Sequence, residues 1–179
     1  MANHSGGILL YRYRENILEV LLVHPGGPFW AKKDDGAWSI PKGLVEESED
    51  ILIAAKREFK EETSFDVDGE FIELGSLTQP SKKVVTAFAL QHDLDVSKVT
   101  SNIFELEWPP KSGKKIKCPE IDKAAWLSIP DAKVKILKGQ SAFLAKLTEV
   151  LNYTVKEKST VSEDTNTLEA KQMTFFDIK

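Results

Sequence analysis

Two apolar runs near the start of the chain set its pattern. Residues 4–13 are rich in Ile, Leu and Tyr, and residues 18–24 read Leu-Glu-Val-Leu-Leu-Val-His, so both are expected as β-strands joined by a hairpin turn at Arg14-Glu-Asn-Ile17. The near-continuous apolar character of the second run is that of a central strand covered on both faces. Residues 67–77 and 84–90 are expected as two further strands, the latter reading Val-Val-Thr-Ala-Phe-Ala-Leu. Phe143, Leu144, Leu147 and Leu151 recur at helical spacing, which predicts an amphipathic helix over residues 140–151 whose stripe is core packing. Between these elements lie a Gly-rich loop at 25–37 and an irregular insert at 93–119, with Trp108-Pro-Pro-Lys-Ser-Gly113 at its centre. The pattern ends with a domain over residues 1–152 and a tail over 153–179. In that tail residues 156–167 are polar and carry one valine, a composition that cannot bury enough apolar area to order itself.

Residues 43–65 carry the chemistry. They read as a loop entering one acidic helix, with Ile51, Leu52, Ala55 and Phe59 on a single apolar stripe. On the same wheel Glu58 and Glu62 flank that stripe, and Glu61 lies about 60–80° further round. The carboxylates therefore point along the edge of the core. They repel one another, they sit toward the helix end where the macrodipole disfavours anions, and their burial costs several kcal/mol if unpaired. Lys56 and Lys60 point toward solvent, and Arg57 alone leaves a charge deficit. An ordinary solvated helix with Glu/Lys pairs is one reading; a bound divalent cation is the other. Oxygen ligands with no His or Cys among them suit Mg²⁺, Mn²⁺ or Ca²⁺ rather than Zn²⁺.

Composition narrows the classes. The 179 residues are 41% hydrophobic and 29% charged, with a formal charge of -4, enough for one domain with a substantial core. A negative balance argues against a protein that coats nucleic acid or a membrane surface, while a local basic patch can still meet a small anionic substrate. No basic-then-apolar leader and no apolar run of about 20 residues is present, so a cytoplasmic protein without a membrane span is expected. Cys118 is the single cysteine, which excludes an intramolecular disulfide and reads as a bystander.

The spacing Gly43, five residues, Glu49, seven residues, then Arg57-Glu58-Phe59-Lys-Glu61-Glu62-Thr-Ser64-Phe65 resembles the signature of the Nudix hydrolases. One position departs from it: Ser64 stands where the family pattern has glycine, at the helix exit where a left-handed cap favours glycine. The resemblance covers roughly residues 4–150 and implies an α/β fold, a Nudix-type α/β/α sandwich with a mixed central sheet. It implies hydrolysis of a phosphoanhydride in a nucleoside diphosphate joined to another group, with Mg²⁺ or Mn²⁺ held by Glu58, Glu61, Glu62 and the Gly43 carbonyl. Arg57 would then orient Glu49 and a metal-binding carboxylate, and the general base is Glu58, Glu61 or Glu120. Trp38-Ser-Ile-Pro-Lys-Gly43 resembles the members that act on dinucleoside polyphosphates, so those substrates or nucleoside triphosphates are expected. The alternatives are a Nudix module that senses a nucleotide without cleaving it, and a nucleotide-pool or DNA-maintenance factor recruited by its tail.

The remaining candidates concern the substrate. Lys42 sits where a phosphate oxygen could be met, and Trp30 and Lys33 on the Gly-rich loop suit a base and its phosphates, although a plain turn explains that loop too. Lys82 and Lys83 form either a solvated tip or a contact for polyphosphate. Lys111, Lys114, Lys115 and Lys117 make the 93–119 insert basic, either as a mobile loop or as a segment closing over an anion. Glu120 resembles the extra carboxylate that some Nudix members bring from outside the helix; a solvated loop glutamate is the other reading. His24 and His92 lack partners at metal spacing. In the tail, Gln172, Met173, Thr174, Phe175 and Phe176 resemble the short peptide that docks on the bacterial sliding clamp, or else add a strand to a sheet.

Overall fold

The computed structural model describes residues 4–155. Strands β1 (His4–Arg14) and β2 (Ile17–Pro25) form the expected hairpin, paired from Tyr11↔Val20 to Arg14↔Ile17, with Glu15 and Asn16 at positive φ in the turn. Past Tyr11 the two strands diverge. The segment 39–44 fills the gap: Ser39 exchanges both backbone hydrogen bonds with Val23, the Ile8 N–H donates to the Pro41 carbonyl, and the short strand β3 (Lys42–Leu44) pairs with Ser5–Gly7 of β1.

On the other side of β1, strand β5 (Val84–Gln91) runs parallel to it and β4 (Ile72–Thr78) closes that edge. Strand β8 (Ile121–Ser128) closes the opposite edge against β2. The order β4-β5-β1-β2-β8, with β3 on β1, is the expected mixed sheet. Helix α1 (Ile51–Thr63) covers one face, packing against Ile8, Leu10, Leu21 and Leu90. Helices α2 (Ile129–Lys135) and α3 (Ser141–Val150) cover the other, over Leu9, Leu22, Val85 and Ala87. Adjacent residues of β1 thus feed opposite cores, which is why its apolar run is unbroken.

Three expectations are corrected, and one helix was not expected. The strand expected over 67–77 pairs only as Ile72–Thr78, because the chain leaving α1 is held along the helix: Val67 is buried beside Phe59, and Asp66 and Asp68 pair with Lys60 and Lys56. The insert at 93–119 is not irregular throughout. It holds a second sheet of two strands, β6 (Ile103–Glu107) and β7 (Lys115–Pro119), whose Phe104, Leu106 and Cys118 lie over Gly27. Helix α2 was not expected; its signals are the Ser128 cap on the Asp131 N–H and a proline in its first turn. The stripe of α1 is also rotated slightly, with Ala54, Ala55, Phe59 and Thr63 buried and Ile51 and Leu52 half-buried.

The helix lies close to the sheet because Gly6 faces it. A Cβ on Gly6 would stand 2.6 Å from the Ile51 carbonyl oxygen and 3.1 Å from the Ala55 nitrogen. Phe59, fully buried, anchors the other end of the same face. Phe59→Ala is expected to destabilise the fold by about 3–5 kcal/mol. Ile53→Ala, at an exposed position of the same helix, is expected to stay within about 0.5 kcal/mol. Urea unfolding of both variants checks this, and equal midpoints would contradict the packing described.

Candidate active site

Helix α1 starts at a cap in which the Asp50 carboxylate accepts from the Leu52 and Ile53 N–H groups, and it ends at Ser64, whose φ of 65° is left-handed. Between these caps one arginine gathers the acids. Arg57 donates from Nε and Nη2 to both oxygens of Glu49 at 3.0 and 2.9 Å, and from Nη1 to Glu58 at 2.9 Å and Glu61 at 3.3 Å. Nη2 also reaches the Leu44 carbonyl at 2.9 Å, tying the helix to the loop that enters it. The planar guanidinium serves this many acceptors at once, which an ammonium on a flexible stem could not. Arg57 is held charged well above its ordinary range, first by Glu49.

Glu62 has no such partner. Its Oε2 accepts the Lys42 N–H at 3.1 Å, and burial, opposed by Lys42 and reinforced by Glu58 and Glu120, pushes its carboxyl up to about 7. Ionised Glu62 therefore lowers stability progressively as pH rises from its ordinary 4.5 through about 7. Glu120 joins the group from the turn between β7 and β8. Its carboxyl is raised by burial and then by the charges of Glu58 and Glu61. Its backbone is fixed on both sides, the N–H donating to the Asn102 carbonyl and the carbonyl accepting from the Gly26 N–H, each at 2.9 Å.

Gly43 is the floor. A Cβ there would stand 1.8 Å from Glu58 Oε2, so only glycine leaves room for the carboxylate against the backbone. Lys83, half-buried, is lowered first by desolvation and then by Lys42, while Glu58 and Glu62 raise it, which puts both lysines within reach of the carboxylates. Lys82 sits at positive φ on the exposed 79–83 turn.

Trp30 and Lys33 lie elsewhere. Trp30 packs against the core beneath α2 and α3, and the Lys33 ammonium stands 3.5 Å from the Phe29 ring centroid and 4.8 Å from that of Trp30. Among the described residues Lys33 forms no ion pair with a carboxylate of α1. His24, buried between Asp122 Oδ1 and the Lys33 carbonyl, is a structural histidine that holds this loop to β8. Among the described residues no three His, Cys, Asp or Glu side chains stand in a ready-made metal geometry. The Arg57 guanidinium occupies the space between Glu49, Glu58 and Glu61 instead.

Sequence reasoning missed the segment 100–102. The Thr100 N–H donates to the Thr63 carbonyl and the Asn102 N–H to the Glu61 carbonyl, so this segment caps the end of α1 and carries Glu120 beside it. Its only signal was the row of small polar residues Thr100-Ser-Asn102 before a strand. Residues 172–176 of the clamp-like peptide lie outside the described residues.

The fold is an α/β/α domain whose helix α1 carries a carboxylate cluster clipped by Arg57. The NUDIX domain model matches residues 4–148, and the chain belongs to that family. It is 31% identical over 117 residues to Nudix hydrolase 5 of Arabidopsis thaliana, covering 61% of this chain and 37% of that protein. The NUDIX domain of Shewanella oneidensis NrtR, solved with ADP ribose, superimposes with a TM-score of 0.61 at 16% identity, covering 84% of this chain and 89% of that one. A Caenorhabditis elegans Ap4A hydrolase binary complex gives 0.57 at 22% identity, covering 84% and 98%. At these identities the structural likeness is one of fold. No helix among the described residues is long and apolar enough to cross a membrane.

The Glu49–Arg57 pair predicts a pH dependence. Arg57, then the Glu46 N–H, lowers the Glu49 carboxyl from 4.5 to about 2, so its contribution to stability is complete above pH 4.5 and is lost as pH falls toward 2. Glu49→Gln is expected to melt lower than the unaltered protein at pH 7, with the gap narrowing steadily below pH 4.5. A gap independent of pH in thermal melts would show that the pair does not carry it.

Proposed function

We propose that the protein is a divalent-cation-dependent hydrolase of a phosphoanhydride in a nucleoside diphosphate joined to a second group, dinucleoside polyphosphates and nucleoside triphosphates first among them. The observation that carries this is the cluster of Glu58, seated against the Gly43 backbone, Glu61, which shares Arg57 with it, and Glu62, which accepts the Lys42 N–H, with Glu120 raised by the charges of Glu58 and Glu61. The family and the ADP-ribose and Ap4A named for two structural neighbours support the substrate class. A cytoplasmic location suits the single free thiol of Cys118.

The residues fit Mg²⁺ or Mn²⁺. The donors are hard oxygens, Glu62 is held protonated to about pH 7 when no cation offsets its burial, and Gly43 leaves its backbone open beside Glu58. Glu58, Glu61, Glu62 and the Gly43 carbonyl would hold the ion, with Glu120 nearby. When bound it neutralises phosphate charge and acidifies water. The chain's own groups do the rest. Lys42 and Lys83 meet phosphate oxygens, and Arg57 fixes the directions of Glu58 and Glu61. Glu58 and Glu61 already accept from Arg57 and Glu62 from Lys42, whereas the Glu120 carboxylate makes no hydrogen bond among the described residues. Glu120, not engaged by any donor among the described residues, is the carboxylate we assign to take a proton from the attacking water. The basic 111–117 tip and the Phe29–Trp30–Lys33 cluster are left as contacts for the distal part of the substrate.

The test is release of nucleoside monophosphate from dinucleoside polyphosphates, nucleoside triphosphates and nucleotide sugars with Mg²⁺. Glu61→Gln and Glu120→Gln are each expected to lower kcat about 10²–10⁴-fold, and chelation to remove turnover. Binding of these nucleotides without turnover above Glu61→Gln would instead support a sensing module. Gly43→Ala is expected to leave the melting temperature within a few degrees, since the clashing carboxylate can swing aside, while lowering kcat about tenfold or more. Full activity in that variant would remove Glu58 from the site.

A further inference from the structure

Ser64, the one departure from the family pattern, does more than end α1. Its Oγ donates to the Thr100 carbonyl at 2.8 Å and lies 2.7 Å from Thr100 Oγ1. The contact starts a continuous ladder. Thr100 N–H reaches the Thr63 carbonyl at 3.3 Å, Asn102 N–H reaches the Glu61 carbonyl at 3.1 Å, the Asn102 carbonyl accepts from Glu120 N–H at 2.9 Å, and the Glu120 carbonyl accepts from Gly26 N–H at 2.9 Å. Ser101 adds a rung, its Oγ accepting from the Ile121 N–H at 2.9 Å. A glycine at position 64 would keep the left-handed turn and lose both side-chain contacts that Ser64 makes with this segment.

We propose that Ser64 is a positioning residue, whose hydroxyl clamps residues 100–102 onto the end of α1 and so holds Glu120 against Glu58 and Glu61. The role rests on the hydrolase reading above for its catalytic consequence, but not for its structural one. Glu120 sits on a turn outside the helix, after a two-stranded hairpin packed on the Gly26–Gly27 loop rather than in the main sheet. A carboxylate carried that way keeps a fixed distance from α1 only if the segment before it is pinned. The backbone bonds at Thr100 and Asn102 engage carbonyls of the last helical turn, where helices fray, and the Ser64 hydroxyl locks that turn from the side.

The test uses Ser64→Gly, whose backbone suits the observed φ of 65° and should fold at least as well. Ser64→Asn keeps both the left-handed preference and a side-chain donor. In the metal-free protein, amide hydrogen exchange at Thr100, Asn102 and Glu120 is expected to quicken about five- to tenfold in Ser64→Gly, with Ile8 and Leu10 unchanged, and to recover in Ser64→Asn. With substrate and Mg²⁺, kcat is expected to fall about five- to tenfold at a KM changed less than about twofold. In a Glu120→Gln background Ser64→Gly is expected to have no further effect, because the group it positions is gone. Unchanged exchange at those three amides overturns the clamp, whatever the activity. A kcat loss of the same size with and without Glu120 overturns its action through Glu120. Absence of turnover on every substrate counts against the hydrolase alone, since the exchange measurement still reads the clamp.

Discussion

Crowded negative charge at the end of α1 is the constraint on which the rest of the structure depends. Glu58, Glu61 and Glu62 share one helical turn near the carbonyl end of the helix, where the backbone dipole adds to their repulsion. The chain answers with cations of two kinds. Arg57, on the helix itself, bonds Glu49, Glu58, Glu61 and the Leu44 carbonyl, so helix and entry loop become one unit. Lys42 and Lys83 come from the sheet and face Glu62, the acid that Arg57 does not reach. The lysine charge offsets the burial of Glu62 only in part, and its carboxyl stays pushed up to about 7.

The sheet is built to deliver this charge. Because β1 and β2 part beyond Tyr11, the backbone of residues 39–44 enters between them and brings Lys42 and Gly43 under the helix. Strand alternation then splits their duties. Gly43, opposite Gly6, faces α1 and receives the Glu58 carboxylate, while Lys42 gives its N–H to Glu62 and brings its charge near enough to oppose the burial of that acid. The same alternation separates the 79–83 lysines: Lys83 continues β5 and faces the acids, and Lys82 turns outward on the tip. Two glycines on β1 and one on β3 are the steric condition for all of this, since side chains there would meet helix backbone, Ile40, Pro41 or Glu58 itself.

Much of this was legible in the chain. The acidic helix and the core strands are local or periodic properties that the spacing of apolar and polar residues conveys, while the Arg57 link to Glu49 was implied by the family resemblance. Lys42 and Lys83 were also expected near the site. Where the sequence was silent, the deciding contacts were long-range. Val67 was placed in a strand because its residue type suits one, but ion pairs of Asp66 and Asp68 to α1 hold it off the sheet. The hairpin of Ile103–Glu107 and Lys115–Pro119 alternates only weakly, half-buried against exposed, and so read as irregular. The docking of residues 100–102 on the helix end depends on hydroxyls and carbonyls that no hydrophobic pattern records.

This division has a consequence for how the two halves of the site vary. The carboxylate half is specified within one helix and the loop that enters it, so its deciding contacts are close in sequence. The 25–37 loop, the 79–83 turn and the 103–119 hairpin share no motif and are held by separate anchors: His24 to Asp122, Gln79 to Lys83, and Gly26 to Glu120. Each anchor fixes its loop without touching Arg57 or Glu58. These loops can therefore change while the charge balance on α1 stays intact. Glu120 is the exception, being carried on the turn after the hairpin and raised by the charges of Glu58 and Glu61 on the helix. A chain that relies on it needs a tie between the two, and the Ser64 hydroxyl sits where that tie must be made.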